Sequence, residues 1–380
     1  MSDEQPDSTP HLPAQDPLAA RRPVGGHAVW RVVIFAAVSL VILGVLVRRQ
    51  RRAENLTRPA PNHPGRYICR FETMGTVGTL VLLAPDQATA DRWARAALEA
   101  VRAVHREMST YRAESELSRL NQAAGAGPVR VGADLFGVIA YARELSERTG
   151  GAFDVSYSPL RDVWRGAAAR GSLPSEEELA EARRRVGWQK IVLDPDARTV
   201  RFAEPGMKLD LGSVAKGFAL DLAVDALVEA GCTRGFVDIG GDLRLLGSAE
   251  NGRPWVVGVR DPLKPGNKRA VMRRLRLGAV AVATSGGYER YFEIDGKRYS
   301  HILNPATGRP AGDLVSATVV APTGIQADGL ATAVTVLGME AGLALIEETP
   351  GAECLLMARE DGGILERRSS GFTAFEEPEP

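Results

Sequence analysis

The 380-residue sequence predicts an α+β fold, because strand-like and helical stretches are intermixed without the regular strand–helix–strand repeat of a parallel sheet. Three patterns carry that expectation: apolar residues at helical spacing between Asp86 and Ser109, apolar runs broken by glycine turns from Gly235 to Ile302, and a strand pair near the C-terminus.

Residues 1–27 are rich in Pro, Asp and Ser, lack apolar periodicity, and read as a disordered tail. Val32 to Val47 carries no charge, and with Ala28 to Arg31 it is long enough to cross a bilayer core of ~30 Å. Residues 28–47 are therefore expected to form one transmembrane anchor, with Arg31 snorkelling at one end. No small-residue cleavage site follows. Residues 48–66, with Pro59, Pro61 and Pro64, are expected to be a linker. The folded domain is expected over 67–370, and 371–380 as a tail.

Within the domain, Arg70 to Leu83 reads as strand bent at Gly75 and Gly78. Trp93, Ala97, Val101, Val104 and Met108 mark the helix over 86–109, and Leu135, Val138, Ile139, Ala142 and Leu145 mark a second, from Asp134 to Arg148, stopped by Gly150-Gly151. Ser175 and Glu178 form a capping box for a short helix. Ile191–Leu193 and Thr199–Phe202 read as a hairpin, a helix follows Ser213, another runs from about Gln326 to Glu348, and Glu353–Ala358 pairs with Ile364–Arg367.

Lys plus Arg equals Asp plus Glu at 47 each, so no basic field draws nucleic acid. The three cysteines, Cys69, Cys232 and Cys354, lack metal spacing and read as buried free thiols. No G-x-S-x-G elbow, Walker A loop or G-x-G-x-x-G fingerprint is present.

The informative segments are Leu209 to Gly217 (LDLGSVAKG) and Asp328 to Thr332 (DGLAT). Each sets a carboxylate beside a hydroxyl where a helix is expected to begin, and helix N-termini suit phosphate. Asp210, Ser213, Asp328 and Thr332 offer oxygen atoms that suit Mg²⁺ or Ca²⁺, with Lys216 as a nearby cation. The same pattern also serves ordinary helix capping. As a ligand at a helix start rather than a core residue, Asp328 is expected to be replaceable by Ala without loss of the fold.

These segments join Met74-Gly75-Thr76, GGAFD at 150–154, FVDIGGDL at 236–243, ATSGGYERYF at 283–292, YSHILNPATG at 299–308 and ADGLATAV at 327–334. Together, over about residues 67 to 358, they closely resemble the ApbE family of FAD-using flavin transferases. The resemblance implies that Met74, Tyr111, Ala152, Phe153, Asp154, Asp210, Lys216 and Ile302 contact FAD. It implies that Ser213, Asp328, Ala331 and Thr332 hold one or two Mg²⁺ ions, Ser213 through its carbonyl and Ala331 through backbone alone. Of five histidines only His301 falls in a matching motif, where it is expected as general base or phosphate positioner, with Asp242 the second catalytic candidate. Read without the resemblance, Met74 and Tyr111 suit a core, Lys216 a solvated helix face, His301 a strand end and Gly240-Gly241 a tight turn.

The implied reaction moves FMN from FAD to a Thr or Ser hydroxyl of an acceptor protein and releases AMP. Its rivals are a non-catalytic flavin-binding or delivery module and an FAD pyrophosphatase. The implied acceptor is a membrane or exported redox subunit. Arg48, Arg49, Arg51 and Arg52 behind the apolar run, against Arg21, Arg22 and Arg31 before it, mildly favour a cytoplasmic domain. Anchored members of the family work outside the cytoplasm, so the expectation is a single-pass inner-membrane protein with an extracytoplasmic domain.

Overall fold

In the computed structural model, residues 55–264, 266–267, 270–287, 291–360 and 363–378 are described. The expected tail at 1–27 and anchor at 28–47 lie outside these residues. Among the described residues no helix is long and apolar enough to cross a membrane.

The chain runs through β1 (Arg58–Pro59), β2 (Arg66–Thr73), β3 (Thr76–Leu83), α1 (Gln87–Met108), α2 (Glu116–Gln122), β4 (Val129–Arg130) and α3 (Ala133–Arg148). It continues through α4 (Ser158–Arg170), α5 (Glu176–Arg184), β5 (Ile191–Asp194), β6 (Thr199–Phe202), α6 (Ala215–Glu229), β7 (Gly235–Ile239) and β8 (Asp242–Leu246). Then follow β9 (Trp255–Arg260), β10 (Val271–Leu277), β11 (Ala281–Ser285), β12 (Tyr291–Ile294), β13 (Lys297–Ser300) and β14 (Leu314–Ala321). The last elements are α7 (Gly324–Leu337), α8 (Met339–Glu347), β15 (Glu353–Glu360) and β16 (Gly363–Arg368).

Nine strands form one sheet in the order β1-β2-β3-β7-β8-β11-β14-β15-β16. Every neighbouring pair is antiparallel, so the α+β expectation holds. The sheet is covered on both faces, and successive side chains alternate between two cores. Ala281, Ala283, Ala317, Val319, Cys354 and Leu356 join α1, α3, α6 and α7 in the larger core. Val282, Val320, Leu355 and Met357 face the β9–β10 hairpin through Trp255, Val259, Leu275 and Leu277. Burial on both faces explains why β14 reads as a nearly continuous apolar run. A third cluster packs Trp164 of α4 and Leu179 of α5 against Ile294 and Leu303.

The capping box is present, with Ser175 accepting the Glu178 amide and Glu178 accepting the Ser175 amide. The hairpins β5–β6 and β15–β16 pair as expected, and all three cysteines are buried free thiols. Other expectations need correction. Part of the expected linker is packed: Thr57 is 1% exposed, and its amide and hydroxyl bond Asp91 Oδ1 at 2.8 and 2.7 Å. The expected tail after 370 is likewise packed, with Phe372 fully buried. Gly78 is a seat, not a bend, since an added Cβ would lie 2.3 Å from the Phe71 ring. The helix expected over 326–348 is two helices, separated at Gly338, whose φ of 82° an L side chain rarely adopts.

Candidate active site

Helices α6 and α7 cross where Gly217 meets Gly324. A Cβ on Gly217 would lie 2.1 Å from the Gly324 carbonyl oxygen, and one on Gly324 would lie 2.3 Å from that of Gly217. Only glycine at both positions permits this approach. Asp221, one turn along α6, fixes the crossing by accepting the Gly324 and Ile325 amides at 2.7 and 2.9 Å. These are donors left without helical partners at the start of α7. Arg244 of β8 bonds the same carboxylate at 3.1 Å.

The crossing brings together residues far apart in the chain. Asp328, in the second turn of α7, accepts the Gly217 amide at 3.0 Å and lies 2.7 Å from Lys216 Nζ. The same ammonium is 2.6 Å from Asp242 at the start of β8. Asp242 also accepts the Thr284 amide of β11 at 3.2 Å. Asp328 and Asp242 are only 3% and 5% exposed. Burial raises the Asp242 carboxyl above the ordinary range, against the pull of Lys216. Burial also opposes the Lys216 charge, but the two carboxylates outweigh it and hold its pKa above the usual lysine value. Lys216 is therefore the centre of a buried ion cluster, not a solvated helix lysine. The expectation that Asp328 lies outside the core is corrected too, since its removal would leave Lys216 and the Gly217 amide short of an acceptor.

With all three groups ionised the cluster carries one surplus negative charge, and Lys216 demonstrates that the carboxylate pair accepts a cation. Among the described residues no group of three or more His, Cys, Asp or Glu forms a metal cluster. An ion here would rest on carboxylate, hydroxyl and carbonyl oxygens, a donor set that fits Mg²⁺. Asp328, the half-buried Thr332 one turn on, and Ser213 just before α6 can supply it. Ala331 does not fit: it is fully buried, and its carbonyl accepts the Thr335 hydroxyl at 2.7 Å besides its helical amide.

Two tight turns meet at the same end of the sheet. Met74 and Gly75, with φ of 49° and 70°, join β2 to β3, and Gly240 and Gly241, with φ of 67° and 97°, join β7 to β8. The turns touch, because the Gly240 amide bonds the Val77 carbonyl at 3.1 Å and a Cβ there would lie 2.9 Å from Thr76 Oγ1. The tight-turn reading of Gly240-Gly241 is thus correct, and it presents Asp242. A left-handed Met is costly, on the order of 1–2 kcal/mol. Its side chain is half-buried against the main core.

Three of the residues expected to contact FAD, Asp154, Phe153 and Asp210, are buried. Asp154 is buried and accepts the Ser156 amide and hydroxyl at 2.8 and 2.7 Å and the Trp188 amide at 2.8 Å. Phe153 is 2% exposed in the main core, so in that loop Ala152 keeps the surface a ligand can meet. Asp210 accepts the Gly212 amide at 2.8 Å and pairs with Arg161 of α4. Sequence reading missed Arg161, and no local pattern marks it. Tyr111, just beyond α1, is 80% exposed and accepts a hydrogen bond from Arg165 at 2.6 Å.

His301 follows the β12–β13 hairpin, which Trp164 supports with ring centroids 5.9 Å from Phe292 and 5.5 Å from Tyr299. Trp164 also bonds the Gly308 carbonyl at 2.8 Å. A Cβ on Gly287 would meet Ser300 Oγ at 3.0 Å, so the segment leaving β11 beyond Thr284 abuts the residue before His301. Ile302 is 7% exposed, and its carbonyl accepts the Ala311 amide at 2.8 Å.

Comparison with known proteins identifies the family. Residues 74–356 match the model of the ApbE family. The FAD:protein FMN transferase of Vibrio cholerae is 38% identical over 275 residues, covering 72% of this chain and 81% of that protein. That of Haemophilus influenzae is 38% identical over 280 residues, covering 72% and 80%. Among solved structures, the ApbE protein of Thermotoga maritima superposes with a TM-score of 0.74 at 33% identity, covering 82% of this chain and all of that one. The chain belongs to the ApbE family.

Proposed function

We propose that this chain is a Mg²⁺-dependent FAD:protein FMN transferase that acts on a Thr or Ser hydroxyl of an acceptor protein. The observation that carries the reading is the buried Asp242–Lys216–Asp328 cluster, built at the meeting of two helices with the turn-bearing end of the sheet. The acceptor oxygen forms a bond to the FMN phosphorus, the pyrophosphate P–O bond breaks, and AMP leaves with that bond's electron pair. The hydroxyl proton passes to His301 or to Asp242. Chemistry of this kind depends on positioning and on charge stabilisation.

Lys216 supplies a cation fixed by two carboxylates, suited to pyrophosphate oxygens. Asp328, Thr332 and the Ser213 carbonyl would hold Mg²⁺, which when bound neutralises charge on the pyrophosphate. Met74, Tyr111 and Ala152 offer a thioether, a ring and a small surface to the flavin or adenine. The Asp154 and Asp210 loops keep that surface in place.

The test is incubation of the chain with FAD, Mg²⁺ and a candidate acceptor. Covalent flavin on the acceptor supports the transferase, whereas free FMN supports a hydrolase and unchanged FAD a binding module. The acceptor is proposed to be a membrane or exported redox subunit, with the chain anchored through 28–47 and its domain outside the cytoplasm. A reporter active only outside the cytoplasm, fused after Pro380, should be active in the membrane fraction. A silent reporter, with a cytoplasm-specific one active at the same place, would reverse that orientation.

A further inference from the structure

The nine-stranded sheet has an unfinished edge. In the β2–β3 hairpin the two-residue turn makes Thr73, Phe71, Cys69 and Tyr67 the residues bonded to β3, so Arg66, Ile68, Arg70 and Glu72 turn their main-chain groups outward. β1 covers Ile68, and the Ala60 amide bonds the Arg66 carbonyl at 2.8 Å. Among the described residues no strand covers Arg70 or Glu72, and their amides find no acceptor. The cause lies in Thr57: it is drawn away to Asp91 and Gln87 on α1, so β1 ends where it would otherwise have continued along β2.

Beside this edge lies a cavity of about 410 Å³ lined by Arg70, Phe71, Glu72, Thr73, Leu98, Val101 and Arg102. Its lining combines the open main chain with apolar side chains of α1. Thr73 is 6% exposed, and its hydroxyl has no hydrogen-bond partner among the described residues. Arg70 and Arg102, both exposed, form no ion pair with a described carboxylate.

From these features we infer that the β2 edge and its cavity dock an extended segment of the acceptor polypeptide, which adds as a tenth strand and sets an acidic residue against Arg70 and Arg102. The inference rests on the transferase reading above. Strand addition supplies affinity through main-chain hydrogen bonds, and adjoining pockets select side chains. Continuity with the site favours the acceptor as occupant, because Thr73 leads directly into the Met74 turn. With strands ~4.8 Å apart, an added strand lies four spacings, roughly 19 Å, from Asp242, a distance about six extended residues span. The docked segment and the modified hydroxyl would thus belong to one short stretch of acceptor.

Two substitutions in the full chain test the inference by different means. Glu72→Pro removes an outward amide without touching the β3 ladder, and Arg102→Glu reverses a charge on α1 without altering any main chain. The first probe is a fluorescein-labelled peptide of alternating Val and Thr with an Asp at each end, followed by anisotropy. The second is an acceptor that the wild-type chain flavinylates. Each substitution should weaken peptide binding at least tenfold and raise the acceptor KM at least tenfold, with kcat at saturating acceptor and FAD affinity unchanged. The peptide arm stands even if wild-type chain transfers no flavin, so failure of the two readings can be told apart. Unchanged peptide binding and acceptor KM in both variants would overturn the inference. So would a parallel loss of FAD affinity, which assigns the cavity to FAD. Faster proteolysis of residues 1–54 with an unchanged acceptor KM would assign it to the chain's own N-terminal segment.

Discussion

Replacing Gly217 with Ala should damage both stability and transfer, and the structure sets the scale. The new Cβ would lie 2.1 Å from the Gly324 carbonyl oxygen, 2.4 Å from its carbon and 2.7 Å from the Ile325 amide nitrogen. All three are main-chain atoms, so no side chain can rotate away. Ordinary contact needs about 3.4 Å, and α6 and α7 must therefore part by about 1.3 Å. Overpacking of this kind costs about 1–3 kcal/mol, and a clash wholly with backbone belongs at the upper end. In a unit of this size ~3 kcal/mol lowers Tm by about 4 °C. The same shift lengthens the Gly217–Asp328 bond and moves Asp328 relative to Lys216 and Asp242. Misplacement of reacting groups by about 1 Å can lower turnover on the order of 10²-fold. Gly137 in α3 is the control, because a Cβ there meets nothing within 4 Å. Gly137→Ala should leave transfer unchanged and stabilise by up to about 1 kcal/mol. Thermal unfolding and single-turnover transfer measured on both variants decide the matter. A Gly217→Ala protein with wild-type Tm and wild-type rate would refute the claim that the glycine crossing positions the site.

Lys216→Met leaves Asp242 and Asp328 buried without their shared cation and should destabilise the protein by about 3 kcal/mol, read by urea unfolding. Burial raises the Asp242 carboxyl in the folded state, so its contribution to stability is full below the unfolded value near 3.8 and is lost as pH rises through the folded value. Asp242→Asn should therefore abolish or sharply reduce transfer while flattening the pH dependence of unfolding above pH ~4; an unaltered pH profile would contradict this. His301→Ala should lower kcat by roughly 10²- to 10⁴-fold with little change in FAD affinity if His301 is the base. Equal losses in both would leave Asp242 in that role.

What the sequence displayed was set by local physics. The Ser175–Glu178 box, the apolar stripe of α1 and the β5–β6 hairpin each arise from residues within a turn or two of one another, so their patterns survive in one dimension. Helix α4 was missed because its apolar residues face the small third core beside arginines and alanines that blur the stripe. Sequence motifs named candidate residues but could not display how Asp242, Lys216 and Asp328 come together. Asp328 and Lys216 stand 112 positions apart, and only the close passage of Gly217 and Gly324 makes them neighbours. Asp154 shows what a motif leaves out: its carboxylate holds Ser156 and Trp188, contacts that no local pattern announces.

The most direct test counts products. Wild-type chain, FAD, Mg²⁺ and acceptor should yield one AMP for each flavin joined to an acceptor hydroxyl. A chelator should stop both together, and Asp328→Asn, which keeps the side chain's shape but not its charge, should do the same while the protein remains folded. AMP released with free FMN in place of covalent flavin, or undiminished transfer by Asp328→Asn in the presence of chelator, would contradict the account.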